Sequence, residues 1–129
     1  MPVQVPVSVG ELLDKLTILA IKLERIADPT QRSNVAREAE ALEAVVAAEG
    51  FRDLAGVPEL ERELRAVNEE LWEIEDRIRE HERLQCFDAA FIALARAVYR
   101  TNDRRAHLKR RINGLSGSEL IEEKSYAAY

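Results

Sequence analysis

Thr101 and Arg105 stand four residues apart on a helical face that otherwise carries Val98 and Leu108. Residues at that spacing point the same way, so a hydroxyl and a guanidinium interrupt an apolar stripe. A guanidinium taken out of water needs a partner, because desolvating a lone charge costs several kcal/mol. Its planar fork suits a carboxylate or a phosphate. The run Tyr99-Arg100-Thr101-Asn102-Asp103-Arg104-Arg105 therefore has three readings. It is a buried network that sets helix register, or Arg105 snorkels to water, or it is a small site for a carboxylate, phosphate or sugar. The third reading gathers Lys15 and Lys22 from a first helix, Trp72 and Glu75 from a third, and Asn102 and Arg105 from a fourth. Arg105 would clamp an oxyanion, Glu75 would act as base or hydrogen-bond acceptor, and Trp72 would stack on a ligand or on Arg100. Asp14, Asn68 and Glu69 lie within reach of the same place. The structural reading is the expectation, with the ligand site as its alternative.

Other chemistry is thinly signalled. His81 and His107 have no neighbour pattern that would hold a metal. His81 continues an apolar heptad and reads as a helix-end residue. Cys86 falls at a corner without an activating base, so it reads as inert. No phosphate-binding glycine loop, nucleophile elbow or zinc spacing is present, and no metal or cofactor is expected. Arg100, Arg104, Arg110 and Arg111 could form a basic strip for nucleic acid, but binding also wants stacking aromatics, and Tyr99 alone is thin. The net charge of −5 repels a polyanion at long range.

These side chains need helices to hold them. Leu60, Leu64, Val67, Leu71, Ile74 and Ile78 recur at alternating steps of four and three, one apolar seam along a helix. Phe91, Leu94 and Val98 begin a second seam, which Leu108, Ile112 and Leu115 finish. We expect the third helix over Pro58 to Leu84 and the fourth from an Asp88 cap to Gly114, folded back as an antiparallel hairpin. Between Glu59 and Glu82 lie ten acidic and four basic residues; between Arg96 and Arg111 lie seven Lys or Arg and one acid. That asymmetry predicts cross-helix ion pairs, Arg96 with Asp76 among them, that fix the register.

The first helix is expected over Val9 to Ile26. It starts at a capping box in which Ser8 takes an orphan N–H and Glu11 reaches back. Ile18 and Ile21 fall outside its stripe, so it carries apolar side chains on more than one face. Asp28-Pro29-Thr30-Gln31 restarts a helix that runs to Glu49, with Val35, Ala39, Leu42 and Val46 inward and Gly50 as the C-terminal cap. Ser118 is read as capping a short last helix through Glu119–Lys124. The fold class is thus all-α: an antiparallel bundle of four main helices built on the hairpin, one domain over residues 1–129.

Composition agrees. Of 129 residues, 47% are hydrophobic and 33% charged, too apolar for disorder and too charged for a membrane protein. Only 5% are aromatic, so the core must be aliphatic. One cysteine makes no internal disulfide, and no stretch reads as a signal peptide or a membrane span, so a soluble, cytoplasmic protein is expected. Off-seam Ile18, Ile21, Trp72, Ile92 and Tyr99 leave apolar surface to bury against other helices or a second subunit. The function expected from these features is non-enzymatic: a helical interaction protein that forms a homodimer.

Four segments carry a resemblance: Val7-Ser8-Val9-Gly10-Glu11-Leu12-Leu13-Asp14-Lys15, Asn68-Glu69-Glu70-Leu71-Trp72-Glu73-Ile74-Glu75-Asp76, Tyr99-Arg100-Thr101-Asn102-Asp103 and Glu122-Glu123-Lys124-Ser125-Tyr126. Together they resemble a small bacterial family of unknown function. The resemblance implies a small helical protein, linked by gene neighbourhood to glycosyltransferase and surface-polysaccharide functions. It transfers no catalytic residue. The all-helical chorismate mutase type is similar in size, but its order of Arg, Lys and acid along the first two helices is not found here, where Arg25, Arg32 and Arg37 fall at other spacings.

Overall fold

The computed structural model describes residues 1–129. Four helices follow in order: α1 over Val9–Arg25, α2 over Pro29–Glu49, α3 over Val57–Leu84 and α4 over Ala89–Ser116, with a single 3-10 turn at Phe51–Asp53 between α2 and α3. No strand forms. The 3-10 turn was not foreseen; it lets Phe51 pack against the core while Arg52 reaches Glu43 and Glu61.

Local signals set the ends. Ser8 caps α1, its Oγ accepting from the Glu11 N–H at 3.1 Å. Asp28 does the same for α2 through Gln31 N, with Pro29 in the first turn, and Asp88 for α4 through Phe91 N. α2 ends at Gly50 (φ 67°), a left-handed residue that glycine adopts without strain. α3 ends at Gln85 (φ 53°), the one non-glycine with positive φ.

α3 and α4 form the hairpin, packed along their length. At 28 residues each they run about 42 Å. α1 lies in the angle of the hairpin and also packs against α2. That central place is why it is apolar on more than one face: Ile21 is buried, as are Leu12, Leu13, Leu16 and Leu19. α2 is peripheral. Only its Val46 is fully buried, with Val35, Ala39 and Leu42 leaning on the core. The core fills one end of the hairpin, around Leu13, Val57, Leu64 and Ile112.

Three expectations fail. The short helix over Glu119–Lys124 does not form, and Leu120 and Ile121 stay exposed. The segment's acids turn instead to α4, Glu122 to Lys109 and Glu123 to Arg110, and hold it extended along that helix. α4 does not stop at Gly114 but continues to Ser116, because the left-handed cap is Gly117 (φ 64°). The hairpin is also not zipped by opposite charges. Arg104–Glu70 at 2.6 Å is its one cross-helix ion pair, and Arg96 has none. Most other acids of α3 that pair are taken by arginines three or four residues away, as in Arg65–Glu69 and Arg83–Glu80, or by Arg25 of α1 and Arg52. Neighbours on one helix already sit within reach. The apolar seam therefore sets the hairpin, and the cations of α4 are free to do something else.

Candidate functional site

Thr101, Arg105, Lys109 and Asn113 follow one another at intervals of four on α4. Opposite them α1 presents Gly10, Glu11, Asp14 and Thr17, and α3 contributes Asn68. The contact between α1 and α4 is consequently polar, and most of it is buried. Asp14 is 1% exposed and sits at its centre. Its Oδ1 accepts from Arg105 Nε at 2.9 Å and from Asn68 Nδ2 at 2.8 Å, and its Oδ2 accepts from the other arm of the Arg105 fork. Thr17 Oγ1 accepts from Asn68 Nδ2 at 2.8 Å and donates to the Asp14 carbonyl at 2.7 Å. Thr101 is buried beside Arg105, its Oγ accepting from Arg104 at 3.4 Å.

Lower on the same face, the Lys109 ammonium meets Glu11 and Glu122, both at 2.6 Å, and Asp14 at 3.9 Å. The expected capping box is therefore only half made: Glu11 does not reach back to Ser8 but crosses to Lys109, where a buried cation is the stronger attractor. At the bottom Asn113 Oδ1 accepts from Gly10 N at 2.7 Å. A side chain at position 10 would strike Lys109 O, so the helices meet there backbone to backbone.

The cations are held charged. The Arg105 pKa is raised above its usual value, chiefly by its hydrogen bonds to Asp14. For Lys109, burial opposes the charge, but bonds to Glu11 and Glu122 outweigh it and the pKa is raised above 10.5. A folded-state value above the unfolded one means that this stability is fully present below about pH 10.5 and is lost as pH climbs through the raised value. Lys109→Met is expected to flatten that alkaline loss in a series of denaturation midpoints from pH 8 to 12. An alkaline limb identical to the parent's would refute the assignment.

Every buried side-chain nitrogen and oxygen has a partner. Arg105 and Lys109 face three carboxylates, so no positive charge is left over there to draw an anion. This arrangement fixes the angle and register of α1 on the hairpin.

The six residues proposed for a ligand site do not come together. Asn102 and Arg105 share an open cleft of about 1160 Å³ between α4 and the C-terminal segment, also lined by Tyr99, Asp103, Lys109 and Glu122. Lys15 is on the far side of α1, paired with Glu38 of α2 at 3.0 Å. Glu75 is exposed and bonds Arg79. Trp72 carries Arg25 over its ring at 5.9 Å, so its cation is the end of α1 and not Arg100. Lys22 is half-buried on α1 and forms no ion pair. Sequence reasoning missed Lys109, Asn113 and Gly10 as partners; the interval of four from Thr101 to Asn113 was the available signal.

The cleft's outer wall is residues 122–129. Lys124 bonds Asp103 at 2.8 Å, and Tyr129 stacks on Tyr99 with ring centres 4.9 Å apart. Lys124 and the Tyr129 hydroxyl lower the Asp103 pKa. No helix of the chain is long and apolar enough to cross a membrane.

The chain matches the model of a family described as a family of unknown function (DUF6165) over residues 3–129, and it belongs to that family. This agrees with the uncharacterised family that the sequence resembles. No curated protein and no solved structure matches it.

Proposed function

We propose that this member of the family is a non-enzymatic helical interaction protein whose partner is a second copy of itself. One observation carries the reading. Between Glu73 and Arg100, the outer half of the hairpin, only Ile74 and Leu94 are buried. Leu84 is 58% exposed, Phe87 50%, Ile92 57% and Tyr99 41%. The cause is length: α1 stops at Arg25, where its guanidinium meets Glu73, and no third helix covers what lies beyond. Two helices alone bury one seam each. Ala89, Ile92, Ala95 and Tyr99 remain as a second, solvent-facing stripe on α4, with small side chains that allow close approach. Two such arms laid side by side give a four-helix bundle, the common way of closing helical pairs of this kind, in a two-fold arrangement where one patch meets itself. The self-satisfied network at Asp14 supports the non-enzymatic part of the reading.

Light scattering at tens of micromolar is expected to give twice the 14.6 kDa chain mass, and Ile92→Glu to give the single mass with helicity unchanged. A parent chain that stays monomeric across that range defeats the proposal. The alternative is binding of a small anion or sugar in the cleft at Asn102 and Arg105. It has the cleft in its favour, but the three cations that line it, Arg105, Lys109 and Lys124, are each already paired with a carboxylate.

A further inference from the structure

The tip of the hairpin holds a cluster that the polar network does not use. One ring nitrogen of His81, Sγ of Cys86 and one carboxylate oxygen of Asp88 all lie within 4.8 Å of one another. They arrive from three different local features: the last turn of α3, the residue after its left-handed end, and the N-terminal cap of α4. Gln85 at φ 53° folds the chain so that Cys86 N reaches His81 O at 3.0 Å. His81 Nδ1 is 2.9 Å from the Cys86 carbonyl oxygen and 3.7 Å from Asp88 Oδ1. The thiol lies against the Asp88 carboxylate.

Capping alone does not call for this set. The cap of α4 needs only Asp88 Oδ1, which accepts from Phe91 N at 3.1 Å, yet the same carboxylate also takes the Cys86 thiol. Position 81 continues the seam of Ile74 and Ile78, where an aliphatic side chain would bury more area. The imidazole there is 21% exposed and turned to the loop. Phe91 lies 6.0 Å from its ring and Phe87 packs on Phe91 at 5.2 Å, giving the cluster an apolar wall.

We propose that His81, Cys86 and Asp88 form a binding site for one divalent cation of the zinc class. Tetrahedral zinc with bonds of about 2.0–2.3 Å puts its ligand atoms roughly 3.3–3.8 Å apart, so donor atoms that lie within 4.8 Å of one another have only a short way to close. Mixed nitrogen, sulfur and oxygen donors suit a borderline cation and not magnesium or calcium, which take oxygen. Three protein ligands leave a fourth position for water. Cys86 is unpaired and half-buried, so it is available as thiolate, its proton passing to solvent as the metal binds. The bound ion ties the end of α3 to the start of α4 at the tip of the arm, where the core is thinnest. The site stands independently of whether two arms associate.

The test is a cobalt titration of the full chain, stripped with chelator and kept reduced without added thiol. A sulfur-to-cobalt charge-transfer band is expected to saturate at one cobalt per chain and to vanish when zinc displaces it. Cys86→Ser should remove the band. His81→Gln should weaken cobalt binding tenfold or more, while His107→Gln changes nothing. Circular dichroism keeps loss of the site apart from loss of fold. On the unaltered chain, zinc should slow alkylation of Cys86 and chelator should restore it. No charge-transfer band at millimolar cobalt, a band at one cobalt per two chains, or alkylation indifferent to zinc each overturns the proposal.

Discussion

Arg105→Ala is expected to destabilise the chain by about 3 kcal/mol or more, because it strands a buried carboxylate. Asp14 is 1% exposed and draws two of its three side-chain hydrogen bonds from Arg105. Its nearest other cation, Lys109, is 3.9 Å away and already shared with Glu11 and Glu122. The carboxylate then keeps only the Asn68 hydrogen bond, so its charge must be neutralised, hydrated from the cleft that Arg105 lines, or relieved by a shift of α1. A urea titration at neutral pH measures the loss. The paired change Asp14→Leu with Arg105→Met should recover most of it, since replacing a whole buried ion pair by apolar side chains is often neutral or better. Asn68 keeps Thr17 as a partner in that variant. If Arg105→Ala unfolds at the same urea concentration as the parent, the guanidinium is not structural and the anion-binding alternative regains its main residue.

Gly10→Ala is the second large effect, and two opposed terms decide its sign. Alanine favours a helix over glycine by about 1 kcal/mol. At this position the new methyl group would sit 2.5 Å from Lys109 O and 2.9 Å from Asn113 Oδ1. A main-chain carbonyl inside a helix cannot swing away, so α1 has to withdraw. Withdrawal stretches the Gly10–Asn113 bond and the Asp14–Arg105 fork together. Overpacking of this kind costs about 1–3 kcal/mol, and here the upper end applies, so the clash wins. Gly114→Ala is the matched control: nothing lies within 4 Å of its Cβ position, and it should stabilise by up to about 1 kcal/mol. A thermal melt of the two variants checks the opposite signs. Gly10→Ala melting above the parent would mean that α1 does not touch α4 as described.

The seam residues and the caps were legible because each is a local property. Ser8, Asp28 and Asp88 bond N–H groups three residues ahead, and the run from Leu60 to Ile78 repeats with the helix itself. The ligand set of Lys15, Lys22, Trp72, Glu75, Asn102 and Arg105 scattered because it joined residues across helices by assuming which faces meet. Arg105 was rightly expected to need an acid, yet several were within reach. The C-terminal segment departs from expectation for a related cause: the Ser118 hydroxyl is taken by a distant helix, accepting from Val9 N of α1 at 3.3 Å, and so caps nothing of its own.

Composition, periodicity and capping chemistry were enough, read along the chain, to specify four helices and a hairpin, since such signals act over three to seven residues. Which acid neutralises which base was settled only by folding. Asp14 and Arg105 are 91 positions apart, and Lys109 and Glu11 are 98. Attraction between charges depends on distance in space, and spacing along a chain carries no record of it until α1 has been laid against α4.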